Sequence, residues 1–199
     1  MGFSGHLVFG RSENSSLLDA PVLEQLHPEA KAAIREWRPR RGGWQMLQLN
    51  YDTWEDEYLE PLVEWAGAPA CVAEVYDSDI ATVIGLDPAG RGWRAYLNLD
   101  TAAGCWADEP DDVDDQSIWV TTPEYEEAVA RKRAELEAEV APSARAALIW
   151  AAAAGFGDSV GLASIEEVLR SHEVFVEDLF DELLNRLGFP GAEEVAYAP

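Results

Sequence analysis

Apolar positions along the chain repeat with two periods. Residues 6–9, 44–49, 71–76, 80–86 and 93–99 are short apolar or alternating runs bounded by Gly, Pro, Asp and Ser, which reads as strands. The connector Asp77-Ser78-Asp79 is hairpin length and 87–92 is a turn cluster, so 71–99 reads as an antiparallel meander. The first two strands are each followed by a helical pattern. One carries Leu23, Leu26, Ala30, Ile34 and Trp37; the other carries Tyr58, Leu59, Leu62, Val63 and Ala66. That order predicts two strands joining the meander's edge in parallel, through right-handed crossovers. Ile118-Trp119-Val120 is a short apolar island that suits an edge strand.

Beyond residue 121 the helical period takes over. Thr122 caps a helix that opens with Pro123 and runs to about residue 140, where Pro142 is expected to end it. An alanine-rich helix follows over 143–154. The strongest stripe comes last: Ile165, Val168, Leu169, Phe175, Val176, Leu179, Phe180, Leu183, Leu184 and Leu187. Its opposite side carries Glu166, Glu173, Glu177, Asp178, Asp181 and Glu182, so one side needs a core and the other needs water. Ser164 with Glu167 forms a candidate capping box and Gly188 and Pro190 mark the stop, so the stripe reads either as one helix over 164–188 or, with a break near 171–172, as a short helix and a long one. The fold these patterns predict is α+β: a mixed sheet of about five strands within 1–120, covered by helices, with a helical part over 121–199 packed on it. The late helices hold too little apolar surface to fold apart from the sheet, so 1–199 reads as one domain.

Composition fits that picture. Of 199 residues 48% are hydrophobic and eight are Trp, enough for a substantial core. No run of about 18 apolar residues predicts a membrane span, and the first ten residues lack the pattern of a secretion signal. Cys71 and Cys105 have neither the number nor the spacing of a disulfide framework or a zinc site, and both read as small core fillers. The cytoplasm is the expected compartment.

Charge changes the picture most. Thirty-eight acidic residues against 14 basic ones give a formal net charge of −24. Such a surface repels nucleic acid phosphates and anionic membranes, and attracts a basic protein partner. Solubility alone also accounts for it. The acidic loop Asp108, Glu109, Asp111, Asp112, Asp114, Asp115 reads either as a solvated connection or as a docking surface for a basic partner. It lacks the glycine and the alternation of a calcium loop.

Reaction chemistry is sparse. His6, His27 and His172 have no histidine three or four residues away, so no metal site and no cofactor are expected. His172 reads as a hydrogen-bonded histidine beside the apolar stripe or as a general base. Asp77 and Asp79 read as turn formers, or with His172 as residues of a pocket between sheet and helices. No nucleophile elbow, P-loop or dinucleotide fingerprint is present. The arginines at 35, 38, 40 and 41 form a cluster that suits internal pairing with surplus carboxylates.

Gly43-Trp44-Gln45, Gly67-Ala68-Pro69-Ala70, Asp77-Ser78-Asp79 and Val176-Glu177-Asp178-Leu179-Phe180 together resemble a family of small acidic actinomycete proteins with no known activity. The resemblance implies a cytoplasmic bacterial origin and brings no catalytic residue with it. Two functions follow as expectations. The first is a non-enzymatic interaction protein that binds a basic partner in the manner of an immunity or inhibitor protein. The second is a small enzyme or ligand-binding protein; a homo-oligomer built on exposed aromatic residues is a further possibility.

Overall fold

The computed structural model describes residues 2–12, 16–38, 40–109, 116–156, 160–189 and 191. Its strands are β1 (Gly5–Arg11), β2 (Arg35–Glu36), β3 (Trp44–Asn50), β4 (Ala70–Tyr76), β5 (Ile80–Leu86) and β6 (Gly92–Leu97). Its helices are α1 (Pro21–Glu24), α2 (Pro28–Ala33), α3 (Leu59–Ala66), α4 (Leu99–Cys105), α5 (Gln116–Trp119), α6 (Pro123–Ala153), α7 (Leu162–Arg170) and α8 (Val176–Arg186). The architecture is α+β: an open six-stranded sheet, order β2-β3-β1-β4-β5-β6, with helices on both faces.

Every strand pair is antiparallel, which corrects the expected mixed sheet. The physical reason lies in β1. Leu7 and Phe9 point to one face and Val8 to the other, and all three are fully buried. A strand apolar on both faces belongs in the middle of a sheet. β1 therefore sits between β3 and β4 and pairs antiparallel with both. β3 and β4 do run the same way and are joined through α3, yet β1 separates them.

Alternate residues send one face of the sheet against α6, α7 and α8. Leu7, Phe9, Trp44, Met46, Ala73, Val75, Val83 and Leu97 meet Val140, Ala147, Trp150, Ile165, Leu179, Phe180 and Phe189 in one cluster. Trp150 is its hub. The indole lies 5.3 Å from the Phe189 ring and 5.6 Å from Trp93, and its N–H donates to the carbonyls of Ala70 (3.1 Å) and Leu86 (3.0 Å). Gly85 makes room for Trp93: a Cβ there would lie 1.9 Å from the indole nitrogen.

Several local expectations change. Pro142 lies inside α6 and does not end it. Pro142 and Ala138, whose carbonyl loses its N–H partner, are both exposed, so water can satisfy that group. Val140, Ala144, Ala147 and Trp150 meanwhile anchor both halves of the helix in the core. Residues 116–119 form the short helix α5, where an edge strand was expected. The break near 171–172 is real and separates α7 from α8. α7 starts about one turn early, at Leu162 with Gly161 as its N-cap, so Ser164 is not its cap. The last turn closes on Gly188, at φ +96°, a conformation that favours glycine. Cys71 is buried, but Cys105 is exposed at the end of α4.

The arginine cluster ties α8 to the sheet. Arg40 is buried and donates to Asn185 (2.8 Å), to the backbone carbonyls of Asp181 (3.0 Å) and Phe189, and to the Asp181 carboxylate. Arg38 pairs with Asp178 and lies 3.3 Å from Asp181.

Candidate functional site

The second face of the sheet is covered over only part of its width. Leu17, Leu23, Leu59, Leu62 and Val63 close over Val8, Leu47, Leu49 and Val72. Toward β5 and β6 the inward–outward alternation continues, but the residues turn polar. His6, Glu74, Thr82 and Tyr96 are register partners across β1, β4, β5 and β6, and so share this face. Val8, Val72, Ile84 and Arg94 form the next row.

An open groove of about 870 Å³ lies over the β4–β6 part of this face. Its floor is Glu74, Tyr76, Thr82, Ile84, Arg94 and Tyr96. One bank is α6, through Lys132, Glu135, Glu139 and Ser143; Asp56 and Trp106 complete the rim. The helical period that carries Leu136 and Val140 into the core turns Glu135 and Glu139 toward the groove. Four carboxylates thus face two cations. Lys132 is already engaged, 2.9 Å from Glu135 and 3.8 Å from Asp108.

Aromatic rings line the same space. Tyr96 and Trp106 meet edge to face at 5.3 Å, and Tyr76 stands 6.1 Å from Tyr51. The Tyr76 hydroxyl donates to Glu74 at 2.5 Å. Burial, the Glu74 hydrogen bond and that of Tyr51 all push the Tyr76 phenol above its ordinary pKa, so it stays a neutral donor. Beside it, His6 is only 7% exposed and its Nδ1 has no hydrogen-bond partner. Burial lowers its pKa despite the nearby carboxylates of Glu74, Asp56 and Glu55. The lining residues include no histidine and no cysteine. Among the described residues no group of three His, Cys, Asp or Glu side chains is placed to hold a metal ion.

The residues expected from sequence lie elsewhere. Asp108 and Glu109 are exposed after α4, and Asp108 reaches the groove only through Lys132. Asp111, Asp112, Asp114 and Asp115 lie outside the described residues. Asp77 and Asp79 belong to the β4–β5 turn. Asp77 and Ser78 have φ +49° and +61°, and Asp79 N–H donates to the Tyr76 carbonyl at 2.9 Å, which makes a tight hairpin turn. The Asp77 carboxylate accepts from Gly2 N–H at 2.6 Å. His172 is exposed in the α7–α8 connection. The turn and that connection are neighbours: the Asn98 amide donates to the carbonyls of both Asp79 (2.7 Å) and Glu173 (2.9 Å). None of Asp77, Asp79 and His172 lines the groove. The groove residues escaped the sequence reading because they sit singly on several separate elements. Their one signal was the polar alternation Glu74, Tyr76 and Thr82 inside apolar strands.

Comparisons with protein families, curated proteins and solved structures found no match for this chain. The site's chemistry therefore rests on its own residues. Among the described residues no helix is long and apolar enough to cross a membrane.

Proposed function

We propose that this chain is an acidic interaction protein that binds a basic protein partner, as an immunity or inhibitor protein does. The observation that carries the reading is the groove over β4–β6, concave, open, and lined by four carboxylates and three aromatic rings. Lysine and arginine side chains suit both parts of that lining. Carboxylates pair with their charge, and ring faces hold it by cation–π attraction. A surface of net charge −24 also speeds the approach of a basic partner.

Titration with a lysine- and arginine-rich peptide tests this. Replacing Glu74, Glu135 and Glu139 together by Gln is expected to lower affinity about tenfold. Neutralising the exposed Glu24, Glu29 and Glu36, which lie outside the groove, should do much less. Equal losses from the two sets would mean diffuse attraction to the whole surface and would sink the groove as the docking face.

A second reading, a ligand-binding protein, draws on the groove's position between the sheet and α6. Its volume also falls in the range of small-molecule sites. A small organic cation that saturates the groove, at an affinity above that of the basic peptide, would favour it.

A further inference from the structure

The connection between α7 and α8 is held in place yet points apolar side chains at water. Ser171 ends α7 by donating from its N–H to the Val168 carbonyl (3.0 Å) and from its hydroxyl to the Glu167 carbonyl (2.8 Å). The buried Asn98 side chain grips Glu173 on both sides, accepting from its N–H (3.0 Å) and donating to its carbonyl (2.9 Å). Val176 N–H donates to the Ser78 carbonyl (2.8 Å), and the Ser78 hydroxyl donates to the buried Glu177 carboxylate (2.7 Å). A backbone fixed by so many bonds has little freedom to fold its side chains inward. Val174 is nonetheless 75% exposed and Phe175 56% exposed. Leaving two such side chains in water forgoes most of the stabilisation that their burial would bring. A connection that only joined two helices would take polar residues there.

Three carboxylates sit on the segments that hold the pair. Glu173 precedes it in sequence, and Asp79 is tied to Glu173 through the shared Asn98 amide. Asp77 shares the same tight turn, and all three are exposed. We propose that Val174 and Phe175 form a docking point for a basic protein. Its apolar socket takes the two side chains, and lysines or arginines on the socket's rim meet Asp77, Asp79 and Glu173. Charge selects this occupant over the alternatives. A second copy of this chain, placed by a two-fold axis, would set the acidic rim against itself. An anionic membrane surface would be repelled by the same carboxylates. The inference rests on the reading of the protein as a binder of basic partners, but it uses a different surface. The two surfaces adjoin at the end of β4, where Tyr76 lines the groove and Asp77 begins the turn.

The test is a titration of the isotope-labelled chain with a short helical peptide of leucine and lysine, followed by NMR. The methyl signals of Val174 and the amide of Phe175 should shift and saturate. Replacing Val174 and Phe175 by Ser should weaken binding about tenfold without lowering the thermal midpoint, because Phe175 is the N-cap of α8 and Ser suits that position. A control peptide with glutamate in place of lysine should not bind. If it binds the loop equally well, the charge complementarity is wrong and the proposal falls. Shifts confined to Tyr76, Tyr96 and Trp106 would overturn this inference and leave the groove as the docking face. Shifts in neither place, or spread evenly over the acidic surface, would overturn both.

Discussion

The sheet's two faces are made by the same strands and finished in different ways. On one face, β1 and β3–β6 present apolar residues along their length, and α6, α7 and α8 close over them. On the other, α1 and α3 cover β3, β1 and part of β4, and polar residues take over toward β6. The difference can be read within single strands. In β5, Ala81 and Val83 are buried against the helices, while Thr82 and Ile84, which alternate with them, lie in the groove floor. A strand of period two can serve a core and a binding surface at once, because neighbouring residues never share a face. The sealed face supplies the stability that lets the open one remain uncovered.

The largest test of that division is the hub of the sealed face. Trp150→Ala removes the side chain that touches Phe9, Trp93 and Phe189, and it leaves a cavity. A loss of about 3–5 kcal/mol in denaturant unfolding is expected. Trp150→Phe keeps a ring in place but removes the donor to Ala70 and Leu86, at a cost of about 1–2 kcal/mol. An unfolding midpoint unmoved by Trp150→Ala would show that the sealed face does not carry the fold.

This asymmetry explains what could be read from residues alone. The α+β class, the five longer strands and the division of the last stripe into two helices are local signals of period and turn chemistry. β2, a two-residue strand at the edge, has no periodicity to detect. Strand direction was missed because it depends on which slot β1 fills, a matter of burial on both faces at once. Pro142 misled for a related reason: propensity argues for a break, and tertiary anchoring on either side of it overrides propensity. The groove was the least legible part. It gathers residues from β4, β5, β6, α6 and the segments around Asp56 and Trp106, and only the folded topology brings them together. The carboxylates of 108–115 drew attention as a dense cluster in sequence, whereas the groove's carboxylates are spread from Asp56 to Glu139.

A paired substitution in β5 sharpens the comparison at a smaller scale. Val83 is fully buried between Ala73 and Ala95, so Val83→Thr places a hydroxyl where no water reaches. It should cost about 1–3 kcal/mol. Thr82→Val, one residue earlier and opposite Glu74 and Tyr96, should change stability by no more than about 0.5 kcal/mol. A gain in stability from Thr82→Val as large as the loss from Val83→Thr would mean that the open half is sealed in solution by something bound to it.

The smallest expected effect comes from one proton where the two halves of the second face meet. His6 is buried next to Glu74 and Tyr51, 6.0 Å from the Tyr51 ring, and burial lowers its pKa below the ordinary 6.5. The carboxylates of Glu74, Asp56 and Glu55, and a hydrogen bond with the Asn50 backbone, pull the other way without overcoming burial. Below pH 6.5 the unfolded chain therefore binds a proton at this position that the folded chain resists. The contribution of His6 to stability is complete above pH 6.5 and falls as the pH drops toward the folded-state value. Chemical denaturation of the wild type and of His6→Gln at pH 7.5, 6.5 and 5.5 isolates the effect from the titration of the many carboxylates. The difference between the two proteins should shift in favour of the variant as the pH falls. If the difference is the same at all three values, the imidazole is not held neutral by burial, and the covered half of the second face ends before it reaches the first residues of β1.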